Sequence, residues 1–91
     1  MSRTRIGTIL ESANSVDILL YVHDHPLCLK SDIYRNVSRN AHTRELMDTL
    51  HSEGLLSIEP TGRGNTHMLV LTEKGMQVAD ILLELEEILD H

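Results

Sequence analysis

Ninety-one residues are enough for one small domain and not for two. The hydrophobic fraction of 41% supports a core, but Phe and Trp are absent and Tyr21 and Tyr34 are the two aromatics, so that core must be aliphatic. Fourteen acidic and eight basic residues give a formal charge of -6, which argues against a polyanionic partner for the chain as a whole.

In chain order, residues 1–8 carry Arg3 and Arg5 and read as a flexible basic tail. A dense apolar run follows, with Val16, Ile18, Leu19, Leu20 and Val22, and it ends near His25-Pro26, where proline disfavours helical geometry in the residue before it. The principal first helix is expected over about 15–24, with a start at Asn14 or Ser15, or at Thr8 with a break, as the alternatives. Leu27-Cys28-Leu29 is short and apolar and is expected to be a small strand that pairs with a later hairpin. Lys30 to Val37 reads as a short amphipathic second helix.

Residues 38–54 read as one capped helix, with Asn40 as N-cap and Gly54 as the left-handed residue that ends it. On a wheel of about 100° per residue, Leu46 and Leu50 fall on one side, with Ala41, Arg44, Glu45, Asp48 and His51 opposite. Two helices joined by so short a turn form a helix-turn-helix. Leu55 to Glu59 and His67 to Leu71 are strand-like runs around Pro60-Thr61-Gly62-Arg63-Gly64-Asn65-Thr66, whose composition suits a hairpin loop. The whole is expected to be an α+β, mostly helical, winged helix-turn-helix: a three-helix core and a small β-wing over residues 15–71.

Residues 72–91 read as a last helix carrying more apolar residues than one buried stripe needs. Val78, Leu82, Leu85 and Leu89 follow a coiled-coil spacing, and Ile81 and Ile88 widen it. These six are the expected dimer contacts. The same segment holds six acids and one base, a charge of -5, which leaves residues 1–71 at -1. The other seven bases are Arg3 and Arg5 in the tail, then Lys30, Arg35, Arg39, Arg44 and Arg63 in the helix-turn-helix and the hairpin loop.

The segment L-M-D-T-L-H-S-E-G-L-L at residues 46–56, the Gly62-Arg63-Gly64 tip and Leu71-Thr72-Glu73-Lys74-Gly75 resemble the small prokaryotic winged-helix transcriptional regulators, the MarR, PadR and ArsR-like group. The resemblance covers about residues 16–89. It implies a homodimeric regulator that binds double-stranded DNA sequence-specifically, with the helix from Asn40 in the major groove and the wing on backbone or minor groove. Thr43, Arg44 and His51 are then candidates for groove contacts, Asn40 and His42 for contacts near its N-terminus, and Arg63 and Asn65 for the wing. The alternative is a winged-helix protein-docking module without DNA binding, for which the acidic balance is the main argument.

His23, His25 and Cys28 invite a metal reading, but zinc needs at least three converging ligands and their spacing does not imply convergence. No metal or other cofactor is expected. Nor is catalysis, since there is no phosphate-cradling glycine loop after a strand and no paired-carboxylate cleft. No run approaches the ~18 apolar residues of a membrane span, no cleavable leader is recognisable, and Cys28 has no partner for an internal disulfide. A cytoplasmic protein without membrane contact is expected. No convergent polar groups point to a small-molecule effector.

Overall fold

The computed structural model describes residue 7 and residues 13–90. The basic tail with Arg3 and Arg5 lies outside these, apart from Gly7, and so does His91. The elements run α1 (Ala13–Asp24), α2 (Lys30–Asn36), α3 (Thr43–Ser52), β1 (Leu56–Pro60), β2 (His67–Leu71) and α4 (Glu73–Leu89). Helices α1 to α3 pack around one core, β1 and β2 form an antiparallel wing, and α4 returns across α1. This is the winged helix expected from the sequence.

In α1, Ser15, Ile18, Leu19 and Val22 are buried at the i, i+3, i+4, i+7 spacing of a single helical face. The core they enter is aliphatic: Ile33 from α2, Met47 and Leu50 from α3, Leu55 and Leu56 at the start of the wing, Leu69 from β2 and Leu82 from α4. Tyr21 and Tyr34 only flank it, half-buried. Each such aliphatic side chain removed from water contributes about 1.5–3 kcal/mol.

The turn after α1 differs from expectation. Leu27 has φ 66 and is exposed, so the run Leu27-Cys28-Leu29 cannot extend as a strand. What remains of the third strand is a single bridge between Leu29 and Met68, with the Leu69 N–H donating to the Cys28 carbonyl at 2.7 Å. Helix α2 begins at once, and the Asp32 carboxylate accepts from the Leu29 N–H at 2.9 Å, which satisfies one of the donors at its start.

The presented helix also starts later than expected, at Thr43 instead of just after Asn40. Ser38 and Asn40 use their side chains on their own turn: the Asn40 N–H donates to Ser38 Oγ at 3.1 Å and the His42 N–H to Asn40 Oδ1 at 3.0 Å. Such short polar side chains offer the backbone an alternative to helix, so residues 38–42 are a hydrogen-bonded turn with Asn40 at its centre. The other end is as expected. Gly54, at φ 77, donates to the His51 carbonyl and Leu55 donates to the Leu50 carbonyl, closing a Schellman motif with Leu50 and Leu55 both buried.

In the wing, β1 and β2 pair in the register Leu56 with Leu71, Ile58 with Leu69 and Pro60 with His67. Gly62 (φ 82) and Gly64 (φ 59) bracket Arg63. The loop is tied by its threonines: the hydroxyls of Thr61 and Thr66 bond to each other, the Arg63 N–H donates to Thr61 Oγ1 and the Thr66 hydroxyl donates to the Arg63 carbonyl. The tip is therefore a defined loop.

Thr72 caps α4, accepting from the Gly75 N–H at 3.0 Å. Gly75, Ala79 and Leu82 are its buried residues, and Val78 also packs on the core.

Candidate nucleic-acid interface

Helix α3 is held by one face and presents the other. Thr43, Met47 and Leu50 are buried and Leu46 is half-buried, which leaves Arg44, Glu45, Asp48 and His51 exposed. Thr43 corrects the sequence reading. Its side chain is 0% exposed and its hydroxyl donates to the Ser38 carbonyl at 3.4 Å, so it anchors the helix and cannot touch a groove. It lies seven residues from Leu50, two turns along the same face.

Of the exposed groups on α3, two are already engaged. His42 Nδ1 and Glu45 Oε2 are 3.3 Å apart across the first turn. The His51 ring bonds the Leu56 carbonyl at 2.9 Å. A carbonyl only accepts, so Nδ1 carries the proton there and Nε2 is the polar atom left over. The side chains of Arg44 and Asp48 make no hydrogen bond or ion pair among the described residues.

The flanking candidates are spread over three elements. Arg35, on the exposed side of α2, lies 3.9 Å from Asp32 one turn back, a loose pair at the surface. Arg39 and Asn40 are exposed in the turn before α3, and Arg63 and Asn65 are exposed on the wing. Lys30 is only half-buried and lines a cleft of about 260 Å³ between the start of α2 and the loop end of β2, with Leu29, Ser31, Tyr34, Asn65, Thr66 and His67. Tyr34 and His67 were not singled out from sequence. Only the Leu29 to Met68 bridge, which lays β2 beside α2, brings them together.

The expected seam on α4 divides. Leu82 is 8% exposed within the chain's own core and Val78 is half-buried against it, so the chain itself covers nearly all of Leu82 and part of Val78. Ile81, Leu85, Ile88 and Leu89 are exposed, the last two at 67% and 83%. They follow i, i+4, i+7, i+8 and so make one apolar stripe on the outer side of the helix.

The residues considered as metal ligands are used separately. His23 Nε2 donates to the Asp80 carboxylate at 3.2 Å, joining α1 to α4, while the His25 ring bonds the Tyr21 carbonyl at 3.1 Å and stacks on the Tyr21 ring. Cys28 is buried, and burial, followed by the nearby Asp32 charge, pushes its thiol up from the ordinary 9.0. Among the described residues no three His, Cys, Asp or Glu side chains are grouped as a metal site, and no helix is long and apolar enough to cross a membrane.

No protein family profile matches the chain, and no curated protein matches its sequence. Solved structures do match in shape. The transcriptional regulator homologue protein from Pyrococcus horikoshii OT3 superposes with a TM-score of 0.68 at 16% identity, over 94% of this chain and 94% of that one. The MarR protein from Peptoclostridium difficile DA00132 superposes with a TM-score of 0.67 at 17% identity, over 90% of this chain and 65% of that one. The chain therefore has the winged-helix fold of these structures, with the outer face of α3 and the tip of the wing exposed.

Proposed function

We propose that the chain is a MarR-like transcriptional regulator, a single winged-helix domain that binds double-stranded DNA sequence-specifically as a homodimer in the cytoplasm. The observation that carries this reading is the fixed orientation of α3: its buried Thr43, Met47 and Leu50 turn Arg44 outward, beside a wing whose hydrogen bonds hold Arg63 at the tip. On this reading Arg44 makes a bidentate contact with guanine in the major groove, and Arg63 a backbone or narrow-groove contact. Lys30, Arg35 and Arg39 add positive charge around them. The acidic balance is no obstacle, because five of the six net negative charges belong to residues 72–91. The exposed stripe of Ile81, Leu85, Ile88 and Leu89 supports self-association through α4, which would set two copies of α3 on successive major grooves about 34 Å apart.

Titration of duplex DNA at two salt concentrations tests the reading. A regulator binds with an affinity that falls steeply as salt rises, because each phosphate contact releases a counterion. A docking module without DNA binding, the reading that the net charge of -6 favours, shows no saturable binding at either salt.

A further inference from the structure

Glu45 and Asp48 place two carboxylates on the exposed face of α3, where DNA phosphates would repel them. The structure distinguishes the two. Glu45 is engaged by His42, whereas the Asp48 carboxylate is exposed and makes no hydrogen bond or ion pair among the described residues. Its neighbour Arg44, four residues back and about 40° away around the helix, is equally free. Base before acid is the weaker order for an i, i+4 pair, which is consistent with both heads remaining open. The burial of Thr43, Met47 and Leu50 fixes the rotation of the helix, so Asp48 sits near the middle of the exposed sector, between Arg44 and Glu45.

A carboxylate only accepts hydrogen bonds, and phosphates offer no donor. In the major groove the donors are the amino groups of cytosine and adenine. On adenine the N7 acceptor lies beside that amino group and repels a carboxylate, whereas cytosine presents N4 without an acceptor of its own beside it. We infer that Asp48 is a specificity-determining residue that accepts from the N4 amino group of a cytosine, adjacent to the base pair contacted by Arg44. This rests on the DNA-binding reading above. It converts a repulsive charge into a selective one: only sites with cytosine at that position offset the cost of bringing the carboxylate into the groove.

The test is selection from a pool of randomised duplexes by the full chain, by Asp48→Asn and by Asp48→Ala, with thermal melting to confirm that the exposed substitutions leave the fold intact. The wild type should enrich cytosine at one position of each half-site. Asp48→Asn should enrich adenine there, because a carboxamide pairs with adenine N6 and N7, and Asp48→Ala should accept any base, with all other positions unchanged. Replacing that cytosine in the wild-type site should weaken wild-type binding by roughly 5- to 150-fold, and Asp48→Ala should bind both duplexes alike. Identical preferences for all three proteins would overturn the inference while leaving DNA binding intact. So would a uniform gain in affinity for every duplex in the variants, since Asp48 would then only repel. A wild type that binds no duplex at either salt overturns the DNA-binding reading and this inference with it.

Discussion

Gly75 and Leu55 approach so closely that a Cβ on Gly75 would lie 2.0 Å from the Leu55 carbonyl oxygen. Around this contact the start of α4 is fastened to the segment leaving α3. The Thr72 N–H donates to that same Leu55 carbonyl, the Thr72 hydroxyl donates to the Gly54 carbonyl, and Lys74 Nζ donates to the Glu53 carbonyl at 3.0 Å. The exit of the presented helix and the entry of the last helix thus form one rigid joint.

Gly75→Ala should therefore destabilise the protein, although Gly to Ala inside a helix ordinarily stabilises by about 0.5–1 kcal/mol. The obstacle is backbone, which cannot swing aside as a side chain can, so a net loss of about 1–3 kcal/mol is expected. Urea denaturation measures it. A variant as stable as the wild type would show that α4 can lift from Leu55 without cost.

Much of this fold is legible in the sequence, for local reasons. Gly54 ends α3, the Gly62-Arg63-Gly64 loop turns the hairpin, and the wheel separates Leu46 and Leu50 from Arg44, Glu45, Asp48 and His51. What misleads is polarity without position. Thr43 shares the face of Leu50 but reads as a surface residue because it carries a hydroxyl, and Asn40 reads as a helix cap when it caps its own turn. On α4 the heptad pattern cannot decide which apolar stripe the chain covers itself. The signal that could have decided it is size: Gly75 and Ala79, one turn apart and followed by Leu82, mark the side where another backbone comes close. The Tyr34 and His67 cleft depends on a tertiary bridge and leaves no periodic trace.

Cys28 should make folding stability fall at alkaline pH. Burial, reinforced by Asp32, favours the protonated thiol in the folded chain, so its folded pKa lies above the ordinary 9.0. Below 9.0 both folded and unfolded chains hold the proton and the contribution is constant. Above it the unfolded chain ionises first, and stability is lost until the folded pKa is passed. Urea midpoints measured from neutral pH to about pH 10 should fall more steeply for wild type than for Cys28→Ala. Parallel curves would mean that the thiol ionises equally in both states.

Substitutions on the two sides of α4 should separate folding from association. Leu82→Asp places a charge in the core and should unfold the chain. Leu85→Asp with Ile88→Asp changes only the exposed stripe, so the chain should stay helical but become monomeric and lose DNA affinity with the paired half-sites. Sedimentation equilibrium checks the premise: a wild-type mass near the 10.3 kDa of one chain would remove the dimer.

Relieving Leu27 should stabilise the protein. Its φ of 66 costs a residue with a Cβ about 1–2 kcal/mol, and its exposed side chain has little packing to lose. Leu27→Gly removes that cost while giving the unfolded chain more freedom, so a net gain of about 0.5–1 kcal/mol is expected. An unchanged or lower thermal midpoint would show that Leu27 contributes packing beyond what its exposure suggests.

The contacts of α3 and the wing should respond differently to truncation. Arg44 stands free on the exposed face, so Arg44→Ala should cost about 1–3 kcal/mol of specific binding and relax preference at one position of the site. Arg63 lies in a loop whose own threonines hold its backbone, so Arg63→Ala should leave the loop folded, weaken binding to most sequences alike and flatten the salt dependence. Thr43→Val serves as the counterpart: it keeps the shape of a buried side chain and should alter stability more than sequence preference. Binding isotherms on one selected duplex and one scrambled duplex, at two salts, distinguish the three. Should Thr43→Val change the preferred sequence while Arg44→Ala does not, the face of α3 turned toward DNA would have to be the one that now packs against the core.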